Sequence, residues 1–256
     1  MCSWVPSRTG TRSPTICRNT RSWNAPTIPI SNGPQGDCVT GTVVRVGNLH
    51  KHFRSGGETV AVFDGLDLML ESGASLALMG RSGSGKSTLL NVLSGLENWD
   101  QGDLQLFGES MSVGDARRWS DLRRQRIATV FQEANLMPAM TLIENVQLRA
   151  GLAGRSEIDA QGWLQRLGVG DLANRYPDQV SGGQRQRAAL AMAFAMQPEL
   201  LLADEPTGSL DSHTADDVAD VLFEFQREQG CPMILATHDP RLAERCDRIF
   251  RLGGEA

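Results

Sequence analysis

One loop constrains this chain more than any other feature. Between the apolar run Ser75 to Met79 and the helical run Thr88-Leu89-Leu90-Asn91-Val92-Leu93 stand Gly80-Arg81-Ser82-Gly83-Ser84-Gly85-Lys86-Ser87. A buried strand, a glycine-rich turn ending in Gly-Lys-Ser and an immediate helix together make a phosphate cradle. Gly80, Gly83 and Gly85 let the backbone curl so that successive N–H groups point inward at phosphate oxygens, and the helix behind adds its dipole. Lys86 brings a compact ammonium to the β- and γ-phosphates, where a planar guanidinium does not fit the same space. Ser87 offers Mg²⁺ a hydroxyl, which suits a hard cation that keeps most of its waters. Lysine is scarce here: of 25 basic residues only Lys51 and Lys86 are lysines. A lysine kept against such an arginine background calls for a chemical reason.

Composition narrows the setting. At 256 residues with 40% hydrophobic content, the chain suits one large or two small globular domains. A net charge of -5 argues against a protein that coats nucleic acid, and no nucleic-acid partner is expected. The longest uncharged, mostly apolar stretch, Ala188 to Met196, is far short of the roughly 20 residues that cross a bilayer. Cys2, Cys17, Cys38, Cys231 and Cys246 are odd in number and lack C-x-x-C spacing, so neither a disulfide framework nor a zinc site is indicated and a reducing compartment fits best. Residues 1–40 stand apart, with five prolines, many Ser and Thr, and Arg8, Arg12, Arg18 and Arg21 against Asp37 alone. They read as a disordered extension, either a start codon assigned too far upstream or an Arg-rich segment similar to a transit peptide. Residues 41–256 then form a single catalytic domain.

From Thr42 onward, short apolar runs alternate with helical patterns, the mark of an α/β fold. Leu200 to Ala203 and Met233 to Ala236 read as buried strands like Ser75 to Met79. Between them Val218, Val221, Leu222 and Phe225 recur at helical spacing, which predicts a helix over Thr214 to Gln229 and a β-α-β unit. The strand from Leu200 runs into Asp204 and Glu205. Beside a phosphate cradle this pair divides the labour, Asp204 near the metal and Glu205 one residue further, where it polarises an attacking water. Without the loop, the same pair would be an ordinary cap or turn.

Ser181-Gly182-Gly183-Gln184, placed between the loop and the carboxylate strand, makes the chain resemble the ATP-binding cassette ATPases, because this is that family's signature. The helix-forming run from Arg185 gives this turn, too, a helix N-terminus suited to phosphate. The resemblance, from Val43 to Leu252, implies a P-loop core of mainly parallel sheet with flanking helices, an antiparallel β subdomain and a helical subdomain carrying the signature. It implies binding and hydrolysis of ATP with Mg²⁺, the phosphates held by residues Gly80 to Thr88 and, from a second copy, by Ser181 to Gln184. Phe53 matches the aromatic that stacks on adenine, although a core aromatic would read the same way. Gln132 matches the glutamine that senses Mg²⁺ and the membrane partner, Asp211 the residue that crosses the dimer interface, and His238 the histidine that contacts the γ-phosphate. Metal ligands are thus expected at Ser87, Gln132 and Asp204, and catalytic groups at Lys86, Gln132, Glu205 and His238.

The stretch between Lys86 and Ser181 leaves room for a helical subdomain but not for a long coiled coil, which disfavours the chromosome-maintenance members. Ala203-Asp204-Glu205-Pro206-Thr207-Gly208-Ser209-Leu210-Asp211 and Thr141-Leu142-Ile143-Glu144-Asn145-Val146 are similar to the lipoprotein-release and macrolide-export branch, with its YbbA-like ATPases nearest. That implies a head-to-tail homodimer that drives an integral membrane permease subunit from the cytoplasmic face of the inner membrane. Val180, Met192 and Thr129 depart from the branch's usual residues. Met192 removes a charge behind the signature, and Thr129 replaces a common aromatic before Gln132.

Overall fold

The computed structural model describes residues 41–55, 58–208 and 210–253. The extension read as disordered, with Cys2, Cys17 and Cys38, lies outside them. Two long strands come first, β1 (Thr42–Ser55) and β2 (Glu58–Glu71), followed by β3 (Ser75–Met79) and α1 (Lys86–Leu93). Then come β4 (Gln101–Leu106), the short β5 (Glu109–Ser110), α2 (Ala116–Gln125) and β6 (Ile127–Val130). Three helices follow, α3 (Leu142–Leu152), α4 (Ala160–Arg166) and α5 (Gly182–Ala195). The chain continues with β7 (Leu200–Asp204), α6 (Ser212–Gln229), β8 (Met233–Ala236), α7 (Pro240–Ala243) and β9 (Arg248–Arg251).

These strands form two sheets. One is antiparallel in the order β2-β1-β4-β5, and the other is parallel in the order β6-β7-β8-β3-β9. The β7-α6-β8 unit expected from the sequence is present, with β7 and β8 adjacent and parallel. Strand periodicity explains the continuous apolar runs of the parallel sheet. In β7, Leu201 and Ala203 face a core shared with α3 to α6, while Leu200 and Leu202 face a second core shared with α1 and the antiparallel sheet. In β8, Met233 and Leu235 go one way, and Ile234 and Ala236 the other. A sheet covered on both faces needs apolar residues at every position.

The first core centres on an aromatic trio. Phe194 of α5 stacks on Phe225 of α6 with ring centres 4.2 Å apart, and Trp163 of α4 meets both edge-on at 5.7 Å. Such contacts add about 0.5–1.5 kcal/mol per pair beyond area burial. They seat the helical arm on the sheet. Helix α5 packs chiefly on α3 and α4.

Candidate functional site

The phosphate loop leaves β3 at Gly80 and turns into α1 at Lys86. Gly85 caps this helix in the left-handed region, at φ 95°, and the first turn carries no side-chain cap. Its N–H groups are therefore left for an external acceptor. Two glycines are fixed by their surroundings as well. A Cβ on Gly85 would lie 2.5 Å from Val62 Cγ1 and 2.8 Å from the Phe63 ring, and one on Gly80 would meet Ser84 Oγ and, at 2.8 Å, the Leu252 carbonyl. Val62 and Phe63 sit where β2 shifts register against β1. This irregularity of the antiparallel sheet presses on the loop and braces it, a support that sequence reading missed. Lys86 Nζ lies across the loop and donates to the carbonyls of Gly80 at 2.9 Å and Arg81 at 3.2 Å.

The parallel register brings the other groups to the same end of the sheet, where ligands of open α/β sheets bind. Val130 pairs with Ala203, Asp204 with Ala236, and Leu78 with Ala236. Gln132, two residues past β6, and His238, two past β8, thus leave their strands at the end where Gly80, Asp204 and Glu205 lie. Burial, followed by the charge of Glu205, raises the pKa of Asp204 above the ordinary aspartate range, partly offset by the Ser87 hydroxyl and the Lys86 ammonium. Those opposing causes place Lys86, Ser87, Asp204 and Glu205 within one electrostatic neighbourhood.

At Glu205 the chain leaves the sheet. Its N–H donates to the Ala236 carbonyl at 3.0 Å, and its φ of 47° is left-handed, a strain of about 1–3 kcal/mol for a residue with a side chain. That turn holds the carboxylate, only 14% exposed, 3.0 Å from His238 Nδ1, whose ring is 74% exposed. Thr237, just before, is buried and donates its N–H to Leu78. His238 therefore stands on a fixed base with its ring exposed and one nitrogen against Glu205, a placement different from plain polar surface.

The signature lies on another element. Ser181 is the N-cap of α5, and its hydroxyl accepts from Gln184 N at 3.2 Å while Gln184 Oε1 accepts from Ser181 N at 2.8 Å. This reciprocal box starts the helix at Gly182, three residues before Arg185. Gly183 abuts Leu210. Asp211 caps α6 by accepting from Thr214 N at 3.1 Å, and the hydroxyl and N–H of Thr214 hold its carboxyl below the usual range. The buried Gln186 donates from Nε2 to the Phe131 carbonyl at 2.9 Å, joining α5 to the segment of Gln132. Phe53 on β1 is 41% exposed, so it is not a core aromatic.

A parallel sheet whose strand ends gather a phosphate loop, a carboxylate pair and a histidine defines a nucleotide-hydrolysing P-loop protein. Comparison carries the assignment further. Residues 63–208 match the family model described as ABC transporter. The chain is 42% identical to the uncharacterized ABC transporter ATP-binding protein YbbA of Escherichia coli strain K12, over 82% of this chain and 94% of that protein. It is also 42% identical to the lipoprotein-releasing system ATP-binding protein LolD of Anaeromyxobacter dehalogenans strain 2CP-C, over 84% and 92%. Among solved structures it resembles the dimeric ABC transporter cassette MJ0796, with TM-score 0.77, 33% identity and coverage of 82% of this chain and 94% of that one. A post-hydrolysis state of MJ0796 bound to ADP and Pi gives TM-score 0.76 and 32% identity, with the same coverage. This chain belongs to the ABC transporter family and is one of its ATP-binding, ATP-hydrolysing subunits.

Proposed function

We propose that two copies of this chain close head to tail over two ATP molecules, and that closure and hydrolysis drive a separate membrane permease. The observation that carries this reading is that helices α1 and α5 both begin at glycine-rich turns, with α5 packed chiefly on α3 and α4. A second copy supplies the α5 terminus that faces the phosphates held by the first. The dimeric form of MJ0796 supports it.

In each site Gly80, Arg81, Ser82, Gly83, Ser84, Gly85, Lys86, Ser87 and Thr88 hold the phosphates. Lys86 exchanges its loop carbonyls for phosphate oxygens. Ser181, Gly182, Gly183 and Gln184 of the other copy approach from outside, Asp211 lies along the seam, and Phe53 stacks on adenine. The oxygen donors of Ser87, Gln132 and Asp204 fit Mg²⁺, which binds through one or two carboxylates together with substrate phosphates. When bound, Mg²⁺ neutralises charge that develops on the phosphate oxygens. Glu205 orients the attacking water and takes its proton, and His238 holds the Glu205 carboxylate and reaches the γ-phosphate.

Among the described residues no helix is long and apolar enough to cross a membrane. By its likeness to the lipoprotein-releasing ATP-binding proteins, the motor works as a peripheral subunit on the cytoplasmic face of the inner membrane, in a system of the lipoprotein-release, export or force-transmitting kind. Glu205→Gln is the test. Hydrolysis is expected to fall by about 10²–10⁴-fold while ATP holds the variant as a long-lived dimer and the parent turns over and separates. A chain that stays monomeric with ATP in both forms would overturn the pairing.

A further inference from the structure

The phosphate loop accounts for Lys86, but the chain's other lysine has no part in it. Lys51 lies on β1 two residues before Phe53, so the two side chains leave the same face of the strand. Its side chain is 7% exposed, and its ammonium is 2.7 Å from Glu97 Oε1 and 4.5 Å from the centre of the Phe53 ring. Burying a cation is unfavourable unless it is paired, and packing alone would be met by methionine or leucine. This lysine is paired on one side and capped by an aromatic face on the other.

We propose that Lys51 is a positioning residue for base recognition: clamped by Glu97, its ammonium fixes one face of the Phe53 ring and presents the opposite face to adenine. The proposal rests on Phe53 being the adenine-stacking residue. Two physical effects follow from the geometry. The cation draws ring electron density towards itself, so the far face repels the π-cloud of a stacked base less. The ion pair also sets the distance between base and phosphates. Glu97 follows α1, where the N–H groups of Leu96 and Glu97 both donate to the Asn91 carbonyl, and the other end of α1 is the phosphate loop. The same connection is stitched to β1 again, by His52 N to Asp100 Oδ2 at 2.6 Å and Asp100 N to the His50 carbonyl at 2.9 Å. The strand that carries the base platform and the helix that carries the phosphates are thereby held in one frame.

The experiment compares ADP with pyrophosphate, which shares the phosphate subsite but has no base, on the full chain with Mg²⁺. Lys51→Met is expected to weaken ADP binding by about 3- to 10-fold and to leave pyrophosphate binding unchanged. Lys51→Arg, which keeps a cation over the ring, recovers most of the loss, and Lys51→Met adds little once Phe53 is alanine. An equal loss for ADP and pyrophosphate, or a full further loss in the Phe53→Ala background, makes Lys51 a structural tie and overturns the proposal. Unchanged ADP binding in Lys51→Met, with a loss in Phe53→Ala, removes the role of Lys51 and leaves the stacking role of Phe53 standing. Unchanged ADP binding in Phe53→Ala removes the stacking role itself, and this proposal with it. Melting curves check each fold. Should Lys51→Met not fold, Glu97→Gln loosens the clamp with the cation kept: a smaller loss confined to ADP supports the proposal, and no loss or an equal one overturns it.

Discussion

Helices α1 and α5 both begin at glycine-rich turns, yet they are finished in opposite ways. At α1 the cap is Gly85 in the left-handed region, with no side chain to satisfy the first turn, and the nearest cation, Lys86, turns back onto the loop carbonyls. At α5 the cap is Ser181 with extended backbone, and Ser181 and Gln184 satisfy each other's N–H groups. An uncapped terminus suits a site whose ligand is held continuously by its own chain. A self-capped terminus keeps its helix intact with or without a phosphate in front of it, which suits a surface that meets its ligand only when a second copy closes. In the proposed dimer the difference separates a resident site from a visiting one.

The largest break in that comparison should come from adding one methyl group to each turn. Gly85→Ala places a Cβ against Val62 and Phe63 at a φ that alanine resists, so it should lower stability by about 2–4 kcal/mol and abolish ATP binding. Gly183→Ala meets only the flexible end of Leu210, and alanine is the better helix former, so stability should stay within about 1 kcal/mol of the parent. Its loss should show in ATP-dependent pairing. Denaturant melts and nucleotide titration of both variants check this. Equal destabilisation by the two would mean that both turns are built alike.

A smaller effect comes from splitting the two duties of Ser181. Ser181→Ala removes the cap and should cost about 1 kcal/mol, with hydrolysis lower by on the order of 10–100-fold. Ser181→Asp keeps a good cap but sets a negative charge against the phosphate. It should melt near the parent temperature and still fail to form the ATP dimer. If the aspartate variant dimerises normally, Ser181 is a cap and nothing more.

Much of this contrast was legible in the sequence, and what was missed has physical causes. β3 and β8 have the predicted bounds because both faces are buried and, Ser75 apart, every position is apolar. α5 starts three residues before the expected run, and α6 two, since the Ser181 and Asp211 caps set the first turns and apolar periodicity does not. Strands β1 and β2 were hidden. They carry polar, half-exposed residues such as His50 and His52, and four register irregularities break the alternation that would reveal them. The brace of Val62 and Phe63 under Gly85 arises at one of these irregularities, and no local pattern announces it. Phe53 could be read as core or platform from sequence, and its exposure decides against the core. The contact between Glu205 and His238 joins residues 33 apart in the chain and depends on β7 and β8 being neighbours.

The smallest predicted effect concerns the resident site alone. Burial raises the pKa of Asp204 from the ordinary aspartate value of 3.8. For an acid shifted upward, the folded chain binds the proton more tightly than the unfolded one. Stability therefore falls as pH rises from the unfolded value through the raised folded value, and the deficit persists above it. At neutral pH the ionised Asp204 is thus a burden on the fold by itself, a cost that the proposed role of this carboxylate at Mg²⁺ would explain. Asp204→Asn should melt higher at neutral pH by on the order of 1–2 °C, and the gain should shrink as pH is lowered into the window. The same variant should lose Mg-dependent hydrolysis. The self-capped terminus offers the control: Ser181→Ala should lower the melting temperature by an amount that does not change across this window, because no titrating group is removed. A melting gain for Asp204→Asn that ignored pH would trace to packing, and the contrast between an open, charged terminus and a closed, neutral one would lose its electrostatic half.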